Sequence, residues 1–153
     1  ALAHLSTPGF AGVSLRATGV YGDLSPNKWD GLIADYLAGR PVVSRVGTEV
    51  HGHDLGRAVR LMLETESTRI SGEVFNVSDI SVDTRDILSA IRRETGCRHV
   101  LPPLADRAAL NPMSTAKIRA LGWMPGGAPL FEETMQRLAA ALPAAPEHRS
   151  TQV

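Results

Sequence analysis

The sequence is poor in the features that announce a function. It has one cysteine, Cys97, in 153 residues, so no internal disulfide can form, and a reducing, cytoplasmic compartment is the simple reading. Neither charge sign is in excess, with 16 Lys and Arg against 16 Asp and Glu. That balance lacks the electrostatic footprint of a nucleic-acid or anionic-membrane binder. No apolar run is long enough to span a bilayer. The first twelve residues show no basic stretch leading into an apolar one, so no signal peptide is read there.

Motifs are missing too. A dinucleotide site needs glycines in a strand-to-helix turn, where backbone N–H groups can approach a pyrophosphate. The chain has 14 glycines but no G-x-G-x-x-G, and Gly9-Phe10-Ala11-Gly12 precedes a strand instead of a helix. There is no P-loop lysine motif and no Gly-x-Ser-x-Gly elbow to present a nucleophile. The proton relay of short-chain dehydrogenases, Tyr-x-x-x-Lys, is absent as well. Four residues after Tyr21 stands Ser25, and four after Tyr36 stands Arg40, whose fixed, delocalised charge is no substitute for an ammonium group.

What is present is an alternation of strand and helix patterns. Ala1–Leu5 reads as the end of a helix, and Gly12–Arg16 as a short strand after a Pro8-Gly9 turn. Trp29, Leu32, Ile33, Tyr36 and Leu37 recur at helical spacing, stopped by Gly39 and Pro41. Val42-Val43 and Glu49–His51 are candidate strands. Asp54 is the expected N-cap of a helix whose apolar face is Leu55, Val59, Met62 and Leu63. Glu73–Val77 is the clearest strand, and Asp83 or Thr84 caps a helix ended by Gly96. His99–Leu101 reads as a strand, Ser114 as the cap of a helix reaching Leu121, and Pro129 as a first-turn residue of the last helix. From Pro143 the Ala- and Pro-rich tail, 143–153, is expected to be disordered. These patterns predict an α/β or α+β class with few short strands and about five helices, over residues 1–142.

One cluster looks chemical. In His51-Gly52-His53-Asp54 the two histidines stand at i and i+2, a spacing that puts both on one strand face, where they could share a metal. A strand end, a glycine turn and a helix cap account for the same residues, and a metal-dependent hydrolase is the least favoured of three readings.

Taken in order, the segments resemble the extended short-chain dehydrogenase/reductases, the NAD-dependent epimerase/dehydratase family. Leu15–Gly22 is similar to the family's "LRxxxVYGP", Ala38–Pro41 to "aGkP" and Val50–Ala58 to "VHVxDvArA". Gly72–Val77 is similar to "GevyNvg", Lys117–Pro125 to "kaxxeLGWxP" and Leu130–Thr134 to "LeeGl". The resemblance covers most of residues 12–142. It implies the C-terminal, substrate-binding part of a Rossmann-type enzyme, with the glycine-rich turn and Tyr-x-x-x-Lys pair in an N-terminal half outside these residues.

By resemblance, Ala17, Val20 and Tyr21 would meet an NAD or NADP cofactor, and Thr18, Gly19, Asn27 and Arg107 the substrate. No residue of the chain is expected to be catalytic by itself or to bind a metal. The implied partner is a small molecule, a nucleotide sugar in the first place, with a homodimer also open. Three departures stand out: Gly47 where the family often has a phosphate-binding arginine, Asp23 where it has proline, and Met113 where it has aspartate. They leave room for a smaller alcohol, ketone or lactone-like substrate. The alternative is a non-catalytic ligand- or protein-binding relative of the family.

Overall fold

The computed structural model describes residues 7–142; the expected helix end at Ala1–Leu5 and the tail at 143–153 lie outside them. Five strands and six α-helices follow in the order β1 (Ser14–Ala17), β2 (Gly19–Tyr21), α1 (Asp30–Leu37), β3 (Val46–His51), α2 (Gly52–Glu64), α3 (Ser67–Ile70), β4 (Val74–Val77), β5 (Ile80–Asp83), α4 (Thr84–Thr95), α5 (Ala116–Arg119) and α6 (Gly127–Ala140). A short 3-10 turn, Arg107–Ala109, lies between α4 and α5. The expected α/β class holds, with α3 added to the five anticipated helices.

The strands form two small sheets. β1 pairs with β4 in parallel, Ser14 opposite Val74. β3 lies between β2, parallel to it, and β5, antiparallel. Two short crossings take the chain directly from the first sheet to the second, at Thr18 between β1 and β2 and at Ser78-Asp79 between β4 and β5, and α2 and α3 carry it back between β3 and β4. The crossings are stitched together: the Thr18 amide donates to the Val77 carbonyl at 3.1 Å, and the Thr18 hydroxyl donates to Ser78 Oγ at 3.3 Å.

Two apolar cores result. One joins Phe75, Val77 and Val50 to Ala58 and Met62 of α2, to Ile118 of α5 and to Trp123. The other joins Tyr21 and Val82 to Trp29 and Ile33, to Ile87 and Ile91 of α4, and to Met135 and Leu138 of α6. The helical periodicity read from α1, α4 and α6 is therefore the periodicity of burial. In α2 the expected face is corrected: Val59 and Leu63 are exposed, and Asp54, Ala58 and Met62 are the buried residues, because the helix turns its small Ala58 toward Val50 and Trp123 in the core.

Local chemistry sets the helix ends. Asp83 caps α4 in a capping box, accepting from the Arg85 amide at 2.8 Å while the Asp86 carboxylate accepts from the Asp83 amide at 3.0 Å. Gly96 ends the same helix at φ 69°, a left-handed conformation that glycine adopts without steric penalty.

Several expectations need correction. Val42-Val43 and His99–Leu101 are not strands; Val43 and Val100 are 82% and 91% exposed. β-branched composition makes no strand without a neighbour to supply the ladder. β5, at Ile80–Asp83, is a strand the sequence reading passed over. Asp54 does not cap α2: that place belongs to His51, whose Nδ1 accepts from the His53 amide at 3.1 Å. At α5 the cap position is Thr115, with Ser114 Oγ accepting from the Ala116 amide at 3.5 Å.

Candidate functional site

A cleft of about 740 Å³ opens beside the first crossing. Thr18 and Gly19 form one wall, β3 supplies Gly47, Thr48 and Glu49, and the start of α1 brings Lys28, Trp29 and Leu32. Arg45 and Val43, from the segment ahead of β3, complete the mouth. The cleft thus sits where the polypeptide leaves one sheet for another, a place where backbones diverge and leave a crevice.

Its polar floor is one ion pair. Lys28 Nζ lies 2.6 Å from Glu49 Oε2, with side chains 35% and 13% exposed. The ammonium group also lies 5.4 Å from the centre of the Trp29 ring. Glu49 is held by its strand, since β3 is hydrogen-bonded on both sides and the Glu49 carbonyl accepts from the Asp79 amide at 3.0 Å. Gly19 makes room for the carboxylate: a Cβ at position 19 would stand 2.5–2.7 Å from Glu49 Oε2, Oε1 and Cδ. At Gly47 a Cβ would meet nothing within 4 Å, so the departure from the expected arginine leaves open space in the cleft. Arg45 makes no ion pair among the described residues, while Asp35 is engaged by Arg40 at 2.6 Å.

The residues expected from resemblance separate. Thr18 and Gly19 line the cleft, whereas Ala17 and Val20 lie outside it with exposed side chains. Tyr21 is buried, stacked on Trp29 at 5.6 Å between ring centres, with its edge against His51 and Phe131. Asn27 is spent on its own loop: its amide nitrogen donates to the Gly22 carbonyl at 2.7 Å and its oxygen accepts from the Trp29 amide at 3.0 Å. It thereby fixes the turn that presents Lys28. Arg107 lines a different groove of about 510 Å³, between β5, α4 and α6, and binds Asp86 at 2.9 Å. Lys28, Arg45 and Glu49 were missed in the sequence. Glu49 reads as one polar residue of a strand, and only the β2–β3 pairing, with Gly19 opposite Glu49, sets it in the crevice.

Behind the cleft lies a buried polar cluster. Asp54 is fully buried; its Oδ2 accepts from the Gly126 amide at 2.8 Å, and Asp79 Oδ2 accepts from the Gly127 amide at 2.8 Å. The two carboxylates together grip the N-terminus of α6, where free N–H groups and the helix dipole favour negative charge. Tyr21 Oη, His51 Nε2 and Asp54 Oδ1 find no hydrogen-bond partner among the described residues. Burial raises the tyrosine's pKa, and the negative charges of Asp79, Asp54 and Glu49 raise it further, so the phenol keeps its proton. Burial lowers the His51 pKa, and it raises that of Asp79. Among the described residues no three His, Cys, Asp or Glu side chains gather to hold a metal, and no helix is long and apolar enough to cross a membrane.

Neither a family model nor a curated protein matches the chain. Solved structures do. A UDP-glucose 4-epimerase from Thermus thermophilus in complex with NAD is 25% identical, with a TM-score of 0.61 over 90% of this chain and 48% of that one. A UDP-glucuronic acid 4-epimerase from Bacillus cereus, in complex with UDP-glucuronic acid and NAD, is 20% identical, with a TM-score of 0.62 over 84% and 44%. A UDP-glucose 4-epimerase from Thermotoga maritima with UDP-glucose is 21% identical, with a TM-score of 0.60 over 86% and 46%. The fold is that of the C-terminal portion of an extended short-chain dehydrogenase/reductase. The chain spans about half the length of these enzymes.

Proposed function

We propose that this chain is the substrate-binding part of an NAD(P)-dependent nucleotide-sugar epimerase, dehydratase or reductase, with residues 1–142 forming the unit and 143–153 a tail. The observation that carries this reading is the cleft at the Thr18-Gly19 crossing, within a fold shared with UDP-sugar 4-epimerases. On this reading Thr18, Gly19 and Thr48 contact the sugar side of the ligand. Arg45 supplies a positive charge for its anionic end, since guanidinium groups bind phosphate oxygens in pairs. Asn27 shapes the loop that carries Lys28, and Arg107 acts from its separate groove.

Ala17 and Val20 suit the edge of a flat cofactor ring by contact alone, and Tyr21 offers that cofactor only backbone. A nicotinamide cofactor would supply hydride transfer. This chain's own part is to bind and orient the substrate, because the sequence contains neither a glycine-rich pyrophosphate turn nor a Tyr-x-x-x-Lys relay. Both would have to come from outside these residues.

The test is a ¹⁵N NMR titration of the 153-residue chain with UDP-glucose, followed by an assay of UDP-glucose conversion with added NAD+, read as altered sugar or as NADH formed. Shifts should cluster at Gly19, Lys28, Thr48 and Glu49, with no turnover by the chain alone. Shifts confined to the Arg107 groove, or none at all, would overturn the cleft assignment. Turnover by the isolated chain would overturn the division of labour.

A further inference from the structure

The Lys28–Glu49 pair is more than a surface ion pair. Exposed pairs contribute little to stability, yet this one is built into a cleft at some cost. Glu49 is the better buried partner, at 13% side-chain exposure, and sits on the central strand of its sheet. Position 19 must lack a side chain for the carboxylate to stand there. A carboxylate has about four lone-pair positions. Lys28 takes one on Oε2, and no other hydrogen bond to the carboxylate is formed among the described residues. The pair is electrically neutral as a unit, so it offers acceptors and donors without demanding a counter-charge. That suits a neutral, hydroxyl-rich ligand better than an amine or an acid.

We propose that Lys28 and Glu49, seated against Gly19, are the specificity element of the cleft and recognise adjacent hydroxyl groups of a sugar ring. The Glu49 carboxylate accepts from ring hydroxyls, and the Lys28 ammonium donates to a hydroxyl or ring oxygen. The inference rests on the reading of this cleft as the substrate site. It adds which residues read the sugar, as opposed to the anionic end of the ligand. Loss of a charge-assisted hydrogen bond to a buried hydroxyl is the kind of change that discriminates strongly between ligands.

The experiment is isothermal titration of the 153-residue chain and of two variants with UDP and with UDP-glucose. Glu49→Gln removes the charge in place. Gly19→Ala leaves Glu49 chemically intact but displaces its carboxylate, the far end of a flexible side chain, so the fold can absorb the change. In the unaltered chain the glucose should tighten binding about tenfold over UDP. Both variants should bring the two ligands to within about twofold of each other. A tenfold preference that survives in both variants overturns the proposal. Equal binding of UDP and UDP-glucose by the unaltered chain also overturns it, while leaving the cleft as the nucleotide site. No binding of either ligand overturns both the proposal and the reading beneath it.

Discussion

His51 carries a consequence for acidity. Its Nδ1 accepts the His53 amide proton and so cannot itself be protonated without breaking the cap, while burial disfavours the charged ring and lowers its pKa. As pH falls through about 6.5, the ordinary histidine value, the unfolded chain takes up a proton that the folded chain refuses. Stability contributed at this position is therefore present at neutral pH and lost toward acid. Asparagine also caps helices through a side-chain oxygen but does not titrate. His51→Asn should flatten the fall in unfolding free energy between pH 7.5 and 5.5, measured by urea denaturation at each pH. A variant as acid-sensitive as the parent would exclude His51 as the cause. The sequence showed the residues here but not their division of labour. Histidine and aspartate three positions apart both fit the start of a helix, and what moves Asp54 off the cap is a partner at Gly126, 72 residues away.

At the level of elements, the start of α6 depends on residues from two other elements. Gly126 and Gly127 donate to Asp54 of α2 and to Asp79 between β4 and β5. No side chain of its own caps the helix. Asp54→Ala takes from the Gly126 amide its acceptor on a buried carboxylate, a loss of about 1.5–3 kcal/mol in unfolding free energy. Asp54→Asn keeps an oxygen in place and should lose less. Equal losses for the two would mean that the acceptor geometry is not what matters.

α1, α4 and α6 were legible because each buries one face at a period of 3.6, as in Ile87, Leu88 and Ile91 of α4. α2 was legible as a helix but not by its face, since it buries Asp54 and Ala58 and exposes Val59 and Leu63, and the four residues of α3 are too few to show a period. Strands were harder to read. Val43 and Val100 have the composition without a neighbour, whereas Ile80-Ser81-Val82-Asp83 carries a period-2 alternation that could have revealed β5. The cleft was legible only at Thr18 and Gly19, through resemblance. Its charged floor joins Lys28 to Glu49 across 21 residues, and local sequence does not encode that pairing.

On the scale of the molecule, two small sheets share a seam at Thr18 and Ser78, and the first of them has only two strands. Parallel pairs of this size are weak alone, since such sheets gain their stability from covered faces and further neighbours. In β1 the flanking amides of Ser14 and Thr18 donate toward the β4 side, to the carbonyls of Glu73 and Val77. The intervening Leu15 and Ala17 amides point to the opposite edge, which pairs with no strand among the described residues. Deuterium uptake along this segment should therefore be comb-like, slow at Ser14 and Thr18 and fast at Leu15 and Ala17. Uniform protection along the comb would reveal a strand laid against the free edge. Four amides in one short stretch would then report whether this half-length unit works alone or has been zipped into a wider sheet.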